Sequence, residues 1–123
     1  MRLRGALSFG EIDHPLPFLP KRYFVVFDVP TFEVRGQHAH LTLHEFLVCL
    51  RGRCEVVLDD GTTRDQILLN TPTLGLHIPP MVWSTQYKYS SDAIVLVLAS
   101  DIYDASDYIR EYDTYLTALR ERA

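Results

Sequence analysis

The sequence predicts an all-β barrel or sandwich followed by one C-terminal α-helix. Two observations predict it. From Phe24 to about Ser100, short apolar stretches alternate with turn signals at roughly 8–12-residue intervals, the rhythm of an all-β domain. From Ser106 onward the apolar period changes to three and four residues, the rhythm of a helix.

Taken in order, Tyr23-Phe-Val-Val-Phe27 is a strand core stopped by Asp28-Val-Pro30. Phe46 to Leu50 ends at Arg51-Gly52, and Cys54 to Leu58 ends at Asp59-Asp-Gly61, where Asp-Gly signals a hairpin. Ile67 to Leu69 stops at Asn70-Thr-Pro72, and Leu74 to Ile78 stops at Pro79-Pro80. Val82 to Tyr89 and Ala93 to Ala99 supply the last strands. In the tail, Tyr108, Ile109, Tyr112, Tyr115, Leu116 and Leu119 form an amphipathic stripe, with Ser106 as N-cap and Arg120 and Arg122 at the negative end of the dipole. Such a stripe faces a core, so the helix is expected to pack on the barrel.

The 123 residues suit one domain spanning 1–123, enough chain for one core and too little for two. With 47% hydrophobic and 23% charged residues, the balance is that of a globular protein. A formal charge of −4 with scattered arginines offers no field for a nucleic-acid duplex, so a phosphate-bearing partner would be met by individual arginines. Met1-Arg-Leu-Arg-Gly5 opens no signal-peptide core and no segment has the length of a membrane span, which predicts a cytoplasmic protein without membrane contact. Cys49 and Cys54 are then expected as thiols, Cys49 as core filling.

The chemistry concentrates in Arg35-Gly-Gln-His38-Ala-His40-Leu-Thr-Leu-His44-Glu45. In a strand, His38 and His40 share a face and Ala39 takes the other. His-x-His, four residues, Glu, six residues, Gly resembles the first motif of the cupin superfamily, which implies a double-stranded β-helix, a jelly-roll barrel. Two chemistries are open. In metal-binding cupins His38, His40 and Glu45 would be ligands, completed by a histidine on a later strand. Here that later segment, Ile78-Pro-Pro-Met-Val-Trp-Ser84, has Ser84 in the ligand position, and His77 stands before the Pro-Pro turn, so metal is disfavoured. Without metal or cofactor, two neutral imidazoles on one face are general acid/base candidates.

A longer series of segments carries a closer resemblance. Arg35-Gly-x-His-Ala-His40, Leu47-Val-Cys-Leu50, Leu58-Asp-Asp-Gly61, Val82-Trp83, Leu96 to Asp101 and Asp107-Tyr-Ile-Arg110 are similar to the sugar-nucleotide 3,4-ketoisomerases, a metal-independent cupin family related to dTDP-sugar 3,5-epimerases. The resemblance implies conversion of dTDP-4-keto-6-deoxyglucose to its 3-keto isomer in deoxyamino-sugar biosynthesis, for surface polysaccharides or antibiotics. It implies His38 and His40 as catalytic residues. It implies Arg35, Arg22 and Trp83 at the substrate, and Arg4 joins them as a candidate for the diphosphate. Related cupins pair through their sheets, which implies a homodimer. Two positions depart from the family pattern: Glu45 stands in place of glutamine and Ser84 in place of histidine. The competing readings are a non-catalytic sugar-binding module and a metal-dependent cupin enzyme.

Overall fold

The alternation written into Glu45–Arg51 reappears as alternating burial. Glu45, Leu47 and Cys49 are buried and Phe46 and Val48 half-buried, so one face of this strand lies inside and the other outside. The structure, a computed structural model, describes residues 6–11 and 16–122. Its strands are β1 (Arg22–Phe27), β2 (Arg35–His40), β3 (Glu45–Arg51), β4 (Cys54–Asp59), β5 (Arg64–Leu69), β6 (Gly75–Ile78), β7 (Trp83–Tyr87), β8 (Ile94–Ala99) and β9 (Tyr108–Ile109), followed by α1 (Tyr112–Arg122).

The strands form a four-stranded sheet in the order β1-β8-β3-β6 and a five-stranded sheet in the order β5-β4-β7-β2-β9. All pairings are antiparallel. Consecutive strands alternate between sheets except at the β4–β5 hairpin, which is the jelly-roll order of the cupin double-stranded β-helix. Val26, Leu47, Cys49, Val56, Leu69, Val95 and Val97 fill the space between the sheets. Cys49 and Cys54 are free and buried. The Asp-Gly signal is met at the β4–β5 turn, where the Asp60 carboxylate accepts from the backbone of Thr62 and Thr63 and Gly61 takes φ +96°.

The helix begins at Tyr112, six residues after the expected cap at Ser106. Ser106 instead lies in a 3-10 turn, Ala105–Asp107, whose cap is the Asp104 side chain accepting from the Ser106 amide. Tyr108 and Ile109 pair with His40 and Ala39 as a two-residue strand. Two strand residues facing opposite ways can continue a helical stripe by coincidence, and here the free edge of β2 captured their backbone. From Tyr112 the helix does pack on the five-stranded sheet. Tyr115 is fully buried and its hydroxyl hydrogen is shared between the carbonyls of Asp59 (3.0 Å) and Met81 (2.8 Å).

The outer face of the four-stranded sheet is different. Tyr23, Val25 and Phe27 pair with Leu98, Leu96 and Ile94 there, and the three β1 side chains are 69%, 38% and 60% exposed. No helix among the described residues is long and apolar enough to cross a membrane.

Candidate active site

Both sheets contribute to one end of the barrel. On β2 the register advances by three residues, Arg35 to His38, while β7 advances by two, Gln86 to Ser84. The extra residue is a β-bulge, and Gly36, at φ +81°, supplies the left-handed backbone it needs. Residues directly opposite share a face and residues two apart share a face. By register Arg35, His38 and His40 therefore fall on one face, with His40 buried, His38 half-buried and Arg35 exposed at its rim; without the bulge, Arg35 would fall on the other face. Ala39 faces the helix, fully buried with Trp83, Ile109 and Tyr115.

The β2–β3 corner fixes how far His40 lies from Glu45. The four residues between them carry the chain from one sheet to the other, and Asp107 clamps that corner. Its carboxylate accepts from the amide and hydroxyl of Thr42 (2.9 and 2.8 Å) and from the amide of Leu43 (3.1 Å), and its carbonyl accepts from the Leu41 amide (2.9 Å). The result brings His38, His40 and Glu45 together, with nitrogen and carboxylate atoms all within 4.8 Å of one another. Arg22 arrives from β1 on the same inner row as Glu45.

The imidazoles lie 4.7 Å apart, edge to face, and the Tyr108 ring packs on both at 5.1 and 4.4 Å. The Arg110 guanidinium stacks 4.3 Å from the Tyr108 ring centre. Burial pulls both histidines down to about 4. The charge of Arg110 adds to this at each, His40 adds to it at His38 and Arg22 at His40, while Asp107 opposes it at His40. Both rings are therefore neutral at pH 7. The Nε2 atoms of His38 and His40, and Nε and Nη2 of Arg22, are buried without a hydrogen-bond partner. Buried polar atoms are rarely left so, and four of them around one space mark where a polar ligand belongs.

The residues singled out from the sequence, Arg4 excepted, now have a place. His38, His40 and Arg22 share the inner surface, with Arg35 exposed at its rim. Trp83 does not join them: on β7 it faces opposite to Ser84, with ring centres 5.3 and 5.6 Å from Tyr112 and Tyr115 under the helix. Its direct neighbour in sequence, Ser84, is the one that faces His38. Arg4 lies outside the described residues. Tyr108, Asp107 and Arg110 belong to the site and escaped the sequence reading because their segment continued the helical stripe.

Two imidazoles and a carboxylate within reach of one another resemble a set of metal donors, but the surroundings do not fit one. The charges of Arg22 and Arg110 bear directly on the histidines, and a dication placed among them would meet two guanidinium groups. Ser84 occupies the facing strand position where a further ligand would stand. A larger concavity, about 460 Å³, opens at the other end of the barrel between Thr31, Arg53, Glu55, Lys88 and Tyr89. Glu55 and Lys88 pair there at 3.4 Å, and none of the orphaned buried side chains among the described residues lines it. The orphaned buried polar groups therefore sit at the histidine end.

Comparison with known proteins shows the family. The family model described as FdtA: WxcM-like, C-terminal matches residues 1–120. The TDP-4-oxo-6-deoxy-alpha-D-glucose-3,4-oxoisomerase of Aneurinibacillus thermoaerophilus is 46% identical over 112 residues, 91% of this chain and 81% of the relative. A 3,4-ketoisomerase from Helicobacter canadensis superposes with TM-score 0.93 at 39% identity, covering 97% of this chain and 90% of its own. A histidine-to-asparagine mutant of the Thermoanaerobacterium thermosaccharolyticum 3,4-ketoisomerase, in complex with TDP-4-keto-6-deoxyglucose, gives 0.94 at 35% identity, over 99% and 88% of the two chains. This chain belongs to the FdtA, WxcM-like C-terminal family.

Proposed function

We propose that this protein is a sugar-nucleotide 3,4-ketoisomerase that moves the keto group of TDP-4-keto-6-deoxyglucose from C4 to C3. The observation that carries the reading is the pair of buried, unpartnered, neutral imidazoles of His38 and His40, backed by the unpartnered Arg22 guanidinium. The named relatives act on or bind the same class of compound.

The reaction needs a base that takes the C3 proton and a proton returned at C4, with an enediol between. A neutral imidazole provides the base, and the imidazolium so formed returns the proton. We assign this role to His40, because the Asp107 charge favours its protonated form. His38, 4.7 Å away, hydrogen-bonds the sugar and holds its plane against the Tyr108 ring. Arg22 and Arg35 meet the diphosphate. Arg35 stands two register steps before His38 on the same face, roughly 7 Å along the strand and within the span of a nucleotide-linked sugar.

The functional unit we infer is a homodimer, in a reducing cytoplasm that keeps Cys49 and Cys54 as thiols. The exposed apolar row of Tyr23, Val25 and Phe27 is a sheet face that a second copy would cover. Sedimentation at micromolar concentration should give twice the chain mass; a monomer there contradicts the dimer.

The activity is tested by incubating the purified protein with TDP-4-keto-6-deoxyglucose and following the sugar by NMR. Appearance of the 3-keto isomer, undiminished by prolonged chelation, is expected. Tight binding without conversion would favour a sugar-binding module. Turnover lost on chelation and restored by a divalent transition metal would favour a metal enzyme.

A further inference from the structure

The two histidines supply a base but no acid. At pH 7 an imidazole held near 4 is almost never protonated, so neither ring in the resting site can give a proton to the ketone oxygen. A third group meets the same space. Glu45 is 4% exposed, points to the inner face from the first residue of β3, and lies with both imidazoles inside a 4.8 Å cluster. No protein group donates a hydrogen bond to its carboxylate among the described residues, so one oxygen is free to carry a proton toward a ligand.

We propose that Glu45, as a neutral carboxylic acid, is the proton donor to the C4 oxygen of the bound ketosugar, and takes the proton back from the C3 hydroxyl. This deepens the isomerase reading and rests on it. In the first half-reaction the C3–H bond breaks, its proton passes to His40, the C3–C4 double bond forms, and the C4 oxygen takes the Glu45 proton. In the second, the C3 hydroxyl returns a proton to Glu45 as the C3 carbonyl forms, and the double-bond electrons take the His40 proton at C4. Atoms and electrons balance, and no other reactant is required.

The groups facing Glu45 fit this role. His38 and His40 from β2 are neutral, and the Tyr108 ring from β9 packs on both. Ser84 from β7 faces His38 and carries no charge. Arg22 from β1 favours the ionised form; Arg110 and Asp107 act on the same cluster through the histidines. Burial outweighs Arg22 and pushes the carboxyl up to about 7, so a large share of it is protonated at neutral pH. Turnover should then fall as pH rises through neutrality.

The test is the pH profile of kcat for wild type, Glu45→Gln and Glu45→Ala, from about pH 5.5 to 8.5. Wild type should lose activity above about pH 7; Glu45→Gln, which keeps a donor but cannot ionise, should be about tenfold slower at pH 6 and lack that falling limb. Glu45→Ala should fall by about a hundredfold, with TDP affinity unchanged in both variants. A wild type without the limb, or a Glu45→Gln variant that keeps it, overturns the assignment. If the variants do not fold, carboxyl 13C shifts of the labelled wild type decide: titration near neutrality supports the role, and titration in the ordinary carboxylate range refutes it. Histidine variants that remain active would instead sink the isomerase mechanism, while the wild-type limb still reads Glu45.

Discussion

Arg22 and Glu45 both pair with Ala99, one from each side of β8, and so share a single row on the inner face of the four-stranded sheet. The two strands that carry them are separated by one strand, about 10 Å at the backbone. Ala99 is fully buried, and its methyl leaves the space above the row to the two longer side chains. Replacing it with Leu should push them apart. We expect a loss of about 1–3 kcal/mol in stability from overpacking, read by denaturant unfolding, together with reduced turnover. Wild-type activity in Ala99→Leu would show that the row does not set the site.

Asp107 holds the corner between His40 and Glu45 through three donors. Asp107→Ala leaves the Thr42 and Leu43 amides without that partner, at about 1–3 kcal/mol if water does not replace it. Because the corner sets the reach from base to acid, kcat should fall more than TDP affinity. An equal effect on both would mean the clamp is only structural.

Trp83 tests the division between site and support. It packs under α1, on the face opposite the histidines. Trp83→Phe should cost about 1–2 kcal/mol of stability while kcat/KM stays within about twofold. A large rise in KM with unchanged stability would return Trp83 to the substrate.

Stability of the ligand-free protein should depend on pH with a definite sign. His38 and His40 sit near 4, below their ordinary 6.5, so between these values the unfolded chain binds more protons and stability rises with pH. Glu45 is raised from 4.5 to about 7, so over that window it binds its proton in the folded state and stability falls as pH rises. His77 is also held below its ordinary value by burial and by His44, so three groups oppose one, leaving a net gain from about pH 4 to 6.5. Urea melts should show this gain, and His38→Asn/His40→Asn should shrink it. A flat profile in wild type would mean that the rings are solvated.

The barrel was legible because its strands are short, punctuated by Pro and Gly, and alternate in burial as the sequence alternates. The inward pair His38 and His40 was legible for the same reason. The Gly36 bulge was not: the Arg-Gly pair could be quoted as part of a motif, but only the register shows that one extra residue turns Arg35 onto the face of His38 and His40. Tyr108 was read as helix because two strand residues before a true helix extend its stripe. Trp83 was placed at the substrate by resemblance, whereas its odd-numbered position beside inward Ser84 puts it outside.

In this mechanism the His38 and His40 face takes a proton from C3 and returns one at C4. It is tested most directly by running the reaction in deuterated water with wild type, His38→Asn and His40→Asn, and reading deuterium in the recovered sugar by NMR. Wild type should convert the sugar at full rate, with deuterium entering C4 of the 3-keto product from the fraction of His40 imidazolium that exchanges with solvent before it returns its proton. His40→Asn should bind TDP normally yet exchange and convert at least about a hundredfold more slowly. Conversion by His40→Asn at the wild-type rate, with deuterium still entering at C4, would contradict it.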